Sequence, residues 1–164
     1  MRIIYTVSPY QMAAANGRYY LICCTDPHDN VSHYRLDRIA DIRMTDEPAR
    51  PAKTVQGLEH GIDLPKHMAE HVYMFAGPSQ PVTFRMKKYL INDVIDCFGT
   101  DIVFSDESED EVTARVTVNL AAMRCWAVQY SSHTRIQSPE SLVKEVTQDL
   151  RSAEKNYALN IETI

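Results

Sequence analysis

From Pro81 to Tyr157 the chain alternates two periodicities, and this alternation constrains its fold more than any other feature. PVTFRM reads as a strand, KKYLINDVIDCFG as a helix closed by Gly99, DIVFS and EVTARVTVN as strands, LAAMRCWAVQY as a helix and HTRIQ as a strand. SPESLVKEVTQDLRSAEKNY follows as a last helix, with Ser138 as cap, Pro139 at the first position and Glu140 in the first turn, where a negative charge suits the helix dipole. The order is βαββαβ plus one helix, which predicts a ferredoxin-like domain over residues 81–164. The acidic SDESEDE between its second and third strands suits a solvated hairpin loop.

The first fifty residues follow a different grammar. RIIYTVSPYQM, RYYLICCT and SHYRLDRIADIRM are β-rich runs separated by Asn16-Gly17 and by DPHDN, which are hairpin signals. They predict a small antiparallel sheet or barrel over residues 1–50. Residues 51–80 read as linker and short helix: TDEPARPAKTVQGLEHG has two prolines, two glycines and no period, and in DLPKHMAEHVYMF Asp63 can cap a helix with Pro65 in its first turn. At 164 residues and 45% hydrophobic content the chain has enough apolar material for one domain or two small ones.

Charge divides along the same line. Residues 1–50 hold six arginines, no lysine and six acids, whereas 51–164 hold eleven basic and sixteen acidic residues and so carry the whole net charge of -5. That balance argues against a protein coated in positive charge for duplex DNA, so any nucleic-acid contact is local. No apolar run approaches a membrane span, and MRIIYTVSPY has none of the parts of a signal peptide, which predicts a cytoplasmic protein. Cys23, Cys24, Cys97 and Cys125 form no CxxC pair or zinc spacing and read as free thiols. No Gly-rich phosphate loop or nucleophile elbow is present, and no cofactor is expected.

Two groups of residues carry chemistry. HMAEH places His67 and His71 one helical turn apart with Glu70 between them, a pattern able to grip zinc beside a general base. No third acidic ligand follows on a later helix, so a surface or docking helix and no metal is the expectation, with a zinc-dependent hydrolase built on His67, Glu70 and His71 as the alternative. In the first region Tyr10, Tyr19, Tyr20 and Tyr34 are interleaved with Arg18, Arg35 and Arg38, a mixture suited to stacking bases and gripping phosphates. Strand alternation puts Arg35 and Arg38 on opposite faces, so both serve one site only if the strand ends or bends near Asp37. The simpler reading pairs Arg35 with Asp37 or Asp41 and leaves the tyrosines as packing.

VSPYQM, NGRYYLI and HYRLDRI, in that order, resemble the WYL domain, with Tyr19, Tyr20 and Leu21 at the three positions that name it and tyrosine in place of tryptophan at the first. The resemblance covers about residues 1–50, and the region from Pro81 to Tyr157 is similar to the C-terminal extension that often follows such domains. It implies an α+β protein, a small SH3/Sm-like β-barrel followed by the ferredoxin-like βαββαβ domain, with the barrel short of its first strand. It also implies the effector-sensing and dimerisation portion of a bacterial transcriptional regulator, not an enzyme, reaching DNA through a helix-turn-helix not in this chain. The ligand would be a nucleotide or a piece of single-stranded nucleic acid. The family's basic patch carries over to Arg35 and Arg38, with Tyr20, His33, Tyr10 and Ser8 around them. A purely structural oligomerisation module is the remaining alternative.

Overall fold

The structure is a computed structural model that describes residues 3–15 and 17–161. Asn16 of the first expected turn lies outside the described residues, as do Met1 and Arg2 of the opening run. The chain forms two compact units, residues 1–79 and 80–164.

In the first unit β1 (Val7–Ala15), β2 (Arg18–Thr25) and β3 (Val31–Arg35) pair in sequence order as an antiparallel sheet. Gly17 takes φ 71, a left-handed conformation that costs a glycine nothing, and so lets the chain reverse between β1 and β2. The pairing of β1 with β2 shifts between Pro9 and Gln11, a bulge that inserts Tyr10 as an extra residue. Tyr20 stands opposite Arg35 and Ile22 opposite His33, so these four side chains share one face.

The expected SH3/Sm-like barrel is not formed. The sheet has three strands, too few to curl round and meet edge to edge. The residues that would have to extend it, 36–63, make two 3-10 turns, Leu36–Arg38 and Ala52–Thr54, and a single isolated bridge from Asn30 to Gln56. What is present is an α+β protein with antiparallel sheets. The open sheet face is covered instead by the stretch that follows: Val55, Leu58 and Met74 are buried in one cluster with Ala13, Ile22, Cys24 and Val31, and Tyr10, Tyr20, Ile62, Leu64 and Met68 pack against it. The stretch read as linker therefore supplies part of the core. It is also tied down by polar contacts, since Ser8 Oγ accepts from the Arg50 amide at 2.9 Å and the Tyr10 hydroxyl donates to the Arg50 carbonyl at 2.9 Å. The Arg50 guanidinium in turn reaches Asp26 and Asp29 at 3.1 and 2.8 Å.

Helix α1 (Leu64–Glu70) begins as its sequence directs, with the Asp63 side chain accepting from the Lys66 amide and a proline in the first turn. It ends at His71, and Met74 with φ 55 then turns the chain.

The second unit runs β4 (Ser79–Lys87), α2 (Ile91–Phe98), β5 (Val103–Ser105), β6 (Glu111–Asn119), α3 (Leu120–Gln129), β7 (Thr134–Ser138) and α4 (Glu140–Ile161). Its four-stranded sheet has the order β5-β6-β4-β7. Alternate residues of β4, Val82, Phe84 and Met86, are buried, as period two requires. Phe84, Phe98 and Trp126 meet edge on at its centre, with Phe84 and Phe98 5.3 and 5.1 Å from Trp126 between ring centroids. Buried Asn119 caps α3 by accepting from the Ala122 amide at 3.1 Å. Arg124 of α3 is clasped by Asp149 of α4 through two contacts of 2.6 Å. Among the described residues no helix is long and apolar enough to cross a membrane.

Candidate functional site

Strand β3 stops at Arg35, and the 3-10 turn Leu36–Arg38 bends the chain at once. That bend resolves the conflict posed by strand alternation: Arg35 and Arg38 line one groove of about 370 Å³ together with Tyr20, His33, Tyr34, Ile39, Tyr73, Met74 and Phe75. The floor comes from β2 and β3, where cross-strand pairing sets Tyr20 beside Arg35. Tyr73 and Phe75, which follow α1, supply aromatic surface that the reading of the first fifty residues missed; their rings lie 6.2 Å apart, edge to face. The aromatic residues of HVYMF were the available signal, but nothing in their spacing ties them to β3.

The two arginines are in different states. Arg35 donates from Nε and Nη2 to the Asp37 carboxylate at 3.0 and 2.6 Å, as the simpler reading of this pair has it. These hydrogen bonds hold the Asp37 carboxyl below its ordinary range and raise Arg35 above its own. Arg38 has no side-chain hydrogen bond or ion pair among the described residues, and it is exposed. Ser8 and Tyr10, also expected near the patch, do not line this groove; they serve the Arg50 tether, and Tyr10 borders a second hollow with Pro9, Gln11, Met12 and Leu21.

His33 is the hinge of a second arrangement. From the groove wall its Nε2 lies 2.9 Å from Nε2 of His67, and His71 stacks on His67 with ring centroids 4.2 Å apart. Glu70, placed with these histidines by the HMAEH pattern, is not in the cluster. Burial, and then the neighbouring imidazoles, pushes His33 down to about 3; burial, and then His71, pushes His67 down to about 4. Both are therefore neutral near pH 7. The convergence of His33 with the helix pair was invisible in the sequence, where a third ligand was sought as an acid on a later helix.

Residues 2–44 match the family described as WYL domain, the stretch that holds the three strands, Arg35 and Arg38. No curated protein matches the chain. Among solved structures, a CRISPR Cas-related protein is similar at TM-score 0.56 and 10% identity, over 96% of this chain and 44% of that one. Proteasome accessory factor B/C (PafBC) of Arthrobacter aurescens is similar at TM-score 0.45 and 17% identity, over 93% of this chain and 22% of that one. The chain thus spans less than half the length of either. Likeness at such identity concerns the fold alone.

Proposed function

We propose that the first unit is a ligand-sensing module that takes a nucleotide or an end of single-stranded nucleic acid in the groove of Tyr20, His33, Arg35 and Arg38. The observation that carries this reading is the meeting in one groove of a guanidinium with no ion pair among the described residues, a second guanidinium held by a single carboxylate, and four aromatic side chains, Tyr20, Tyr34, Tyr73 and Phe75. Arg38 offers a planar fork to phosphate oxygens, and the aromatic rings offer stacking surface to a base. Arg35 joins the ligand only by exchanging Asp37 for it. The groove thereby favours phosphates of higher charge, which compete better with a carboxylate than a neutral ligand does. The match of residues 2–44 to the WYL domain supports a sensing role within a transcriptional regulator. In that reading the second unit mediates association of two copies, and no bond is made or broken.

Titration calorimetry of the full chain with nucleoside mono- and diphosphates and with short single-stranded oligonucleotides tests the groove. Binding that weakens as salt rises and drops roughly 10- to 100-fold in Arg38→Ala is expected, because a charge-assisted contact is lost and released counterions contribute. Arg38→Lys should recover only part of it. Affinity indifferent to salt and to Arg38→Ala would refute the reading.

A further inference from the structure

We propose that His33, His67 and His71 form a binding site for a divalent late transition metal, zinc foremost, held by three imidazole nitrogens with the fourth position open to an exogenous donor. One donor nitrogen from each ring lies within 4.8 Å of the others. His67 and His71 are buried, at 8% and 6% exposure, and the His33 ring centroid is 5.1 Å from each of theirs.

Several features make the cluster more suited to a cation than an ordinary group of packed histidines. His71 Nδ1 is 2.9 Å from the His67 carbonyl, which accepts its proton, so the lone pair falls on Nε2. A ligating histidine characteristically donates its other ring N–H to a backbone carbonyl in this way. His33 and His67 face each other through Nε2 at 2.9 Å, and two neutral rings can satisfy that contact with only one proton. The Nδ1 of His33 is buried and meets no partner in good hydrogen-bond geometry among the described residues. No aspartate or glutamate joins the group, so its donor set is imidazole alone.

Three imidazoles select zinc and its late first-row neighbours over magnesium or calcium, which require oxygen donors. Tetrahedral zinc with bonds of about 2.0–2.1 Å sets its nitrogens about 3.3 Å apart. The His33–His67 pair reaches that by opening about 0.4 Å, within the freedom of two side-chain torsions. The ion would fasten α1 to β3, elements thirty-four residues apart between His33 and His67. This site adjoins the phosphate groove and shares His33 with it, but His67 and His71 do not line that groove, and Arg38 is not a donor here.

The test uses the untagged full chain freed of metal with a chelator, then titrated with zinc or cobalt(II). One equivalent is expected to bind, and the side-chain nitrogen resonances of His33, His67 and His71 should move while those of His28, His60 and His133 stay. His33→Gln and His71→Ala should each weaken binding roughly 100-fold or more, since a donor atom itself is lost. The resonance experiment on the unaltered chain keeps the result meaningful if a variant misfolds. Failure of zinc and cobalt to bind, or movement confined to His28, His60 or His133, would overturn the site. Arg38→Ala should leave metal binding intact, which separates this result from that of the nucleotide titration.

Discussion

Leu58→Ala should cost the first unit about 3–4 kcal/mol, an unusually large penalty for a residue in a segment without regular periodicity. Leu58 is 1% exposed and shares its cluster with Ile22 and Val55 at 0% and Val31 at 5%. Removing a buried leucine side chain costs about 2.7–5.0 kcal/mol, the upper part of that range applying where the surroundings cannot collapse into the void. Here they cannot readily do so. Ile22 and Val31 are fixed on paired strands, and as β-branched residues they and Val55 have little torsional freedom. Met74 is the one flexible side chain among the buried members of the cluster, but its backbone is committed to φ 55, which limits how far it can follow. The minimum of the range is therefore too low and the maximum is softened by Met74. Native-state hydrogen exchange at the Ile22 and Cys24 amides, read beside urea melts followed by far-ultraviolet dichroism, measures the loss. The exposed Lys53→Ala serves as control and should stay within about 0.5 kcal/mol of the parent. A loss below about 1 kcal/mol for Leu58→Ala would refute the reasoning, because the three strands would then hold together without their cover.

Residues 1–50 alone lack Val55, Leu58 and Met74 and should show no cooperative melt, whereas residues 80–164 should unfold cooperatively by the fluorescence of Trp126; a stable 1–50 fragment would contradict this. Asn119→Ala should lower the stability read by Trp126 by about 1–2 kcal/mol, with Asn119→Ser restoring much of it, since the buried cap accepts from the Ala122 amide. Burial pushes the Cys23 and Cys97 thiols up to about 11, so an alkylating reagent near pH 8 should modify exposed Cys125 well before either. The same shifts hold these thiols protonated in the fold while the unfolded chain ionises. Stability should consequently fall as pH rises from about 9 towards 11, and a flat profile across that window would count against the burial of Cys23.

How far the sequence could be read depended on whether a feature was local. The Gly17 turn, the Asp63 cap and the alternation of Val82, Phe84 and Met86 depend on neighbours a few residues away, and each could be anticipated. The sharp end of β3 was anticipated only as a condition for Arg35 and Arg38 to meet. Val55 and Leu58 carried no such signal, because a segment of turns contributes to a core wherever its path happens to cross a sheet. The absence of a barrel has the same origin: three β-rich runs are legible, but whether further strands close them depends on residues 36–63, whose prolines and charges fit turns equally well. His33 was assigned to the groove by resemblance, and its second set of neighbours, His67 and His71, follows from the docking of α1.

The bulge in β1 makes Tyr10 dispensable to the sheet and indispensable to what lies over it. Pro9 pairs with Cys23 and Gln11 with Ile22, so a chain shorter by this one residue would restore an unbroken ladder. It would also lose the ring that packs on the core and the hydroxyl that holds the Arg50 carbonyl. An inserted tyrosine and the segment hung from it are therefore mechanically one part: straightening this strand by one residue lets go of the chain forty positions downstream.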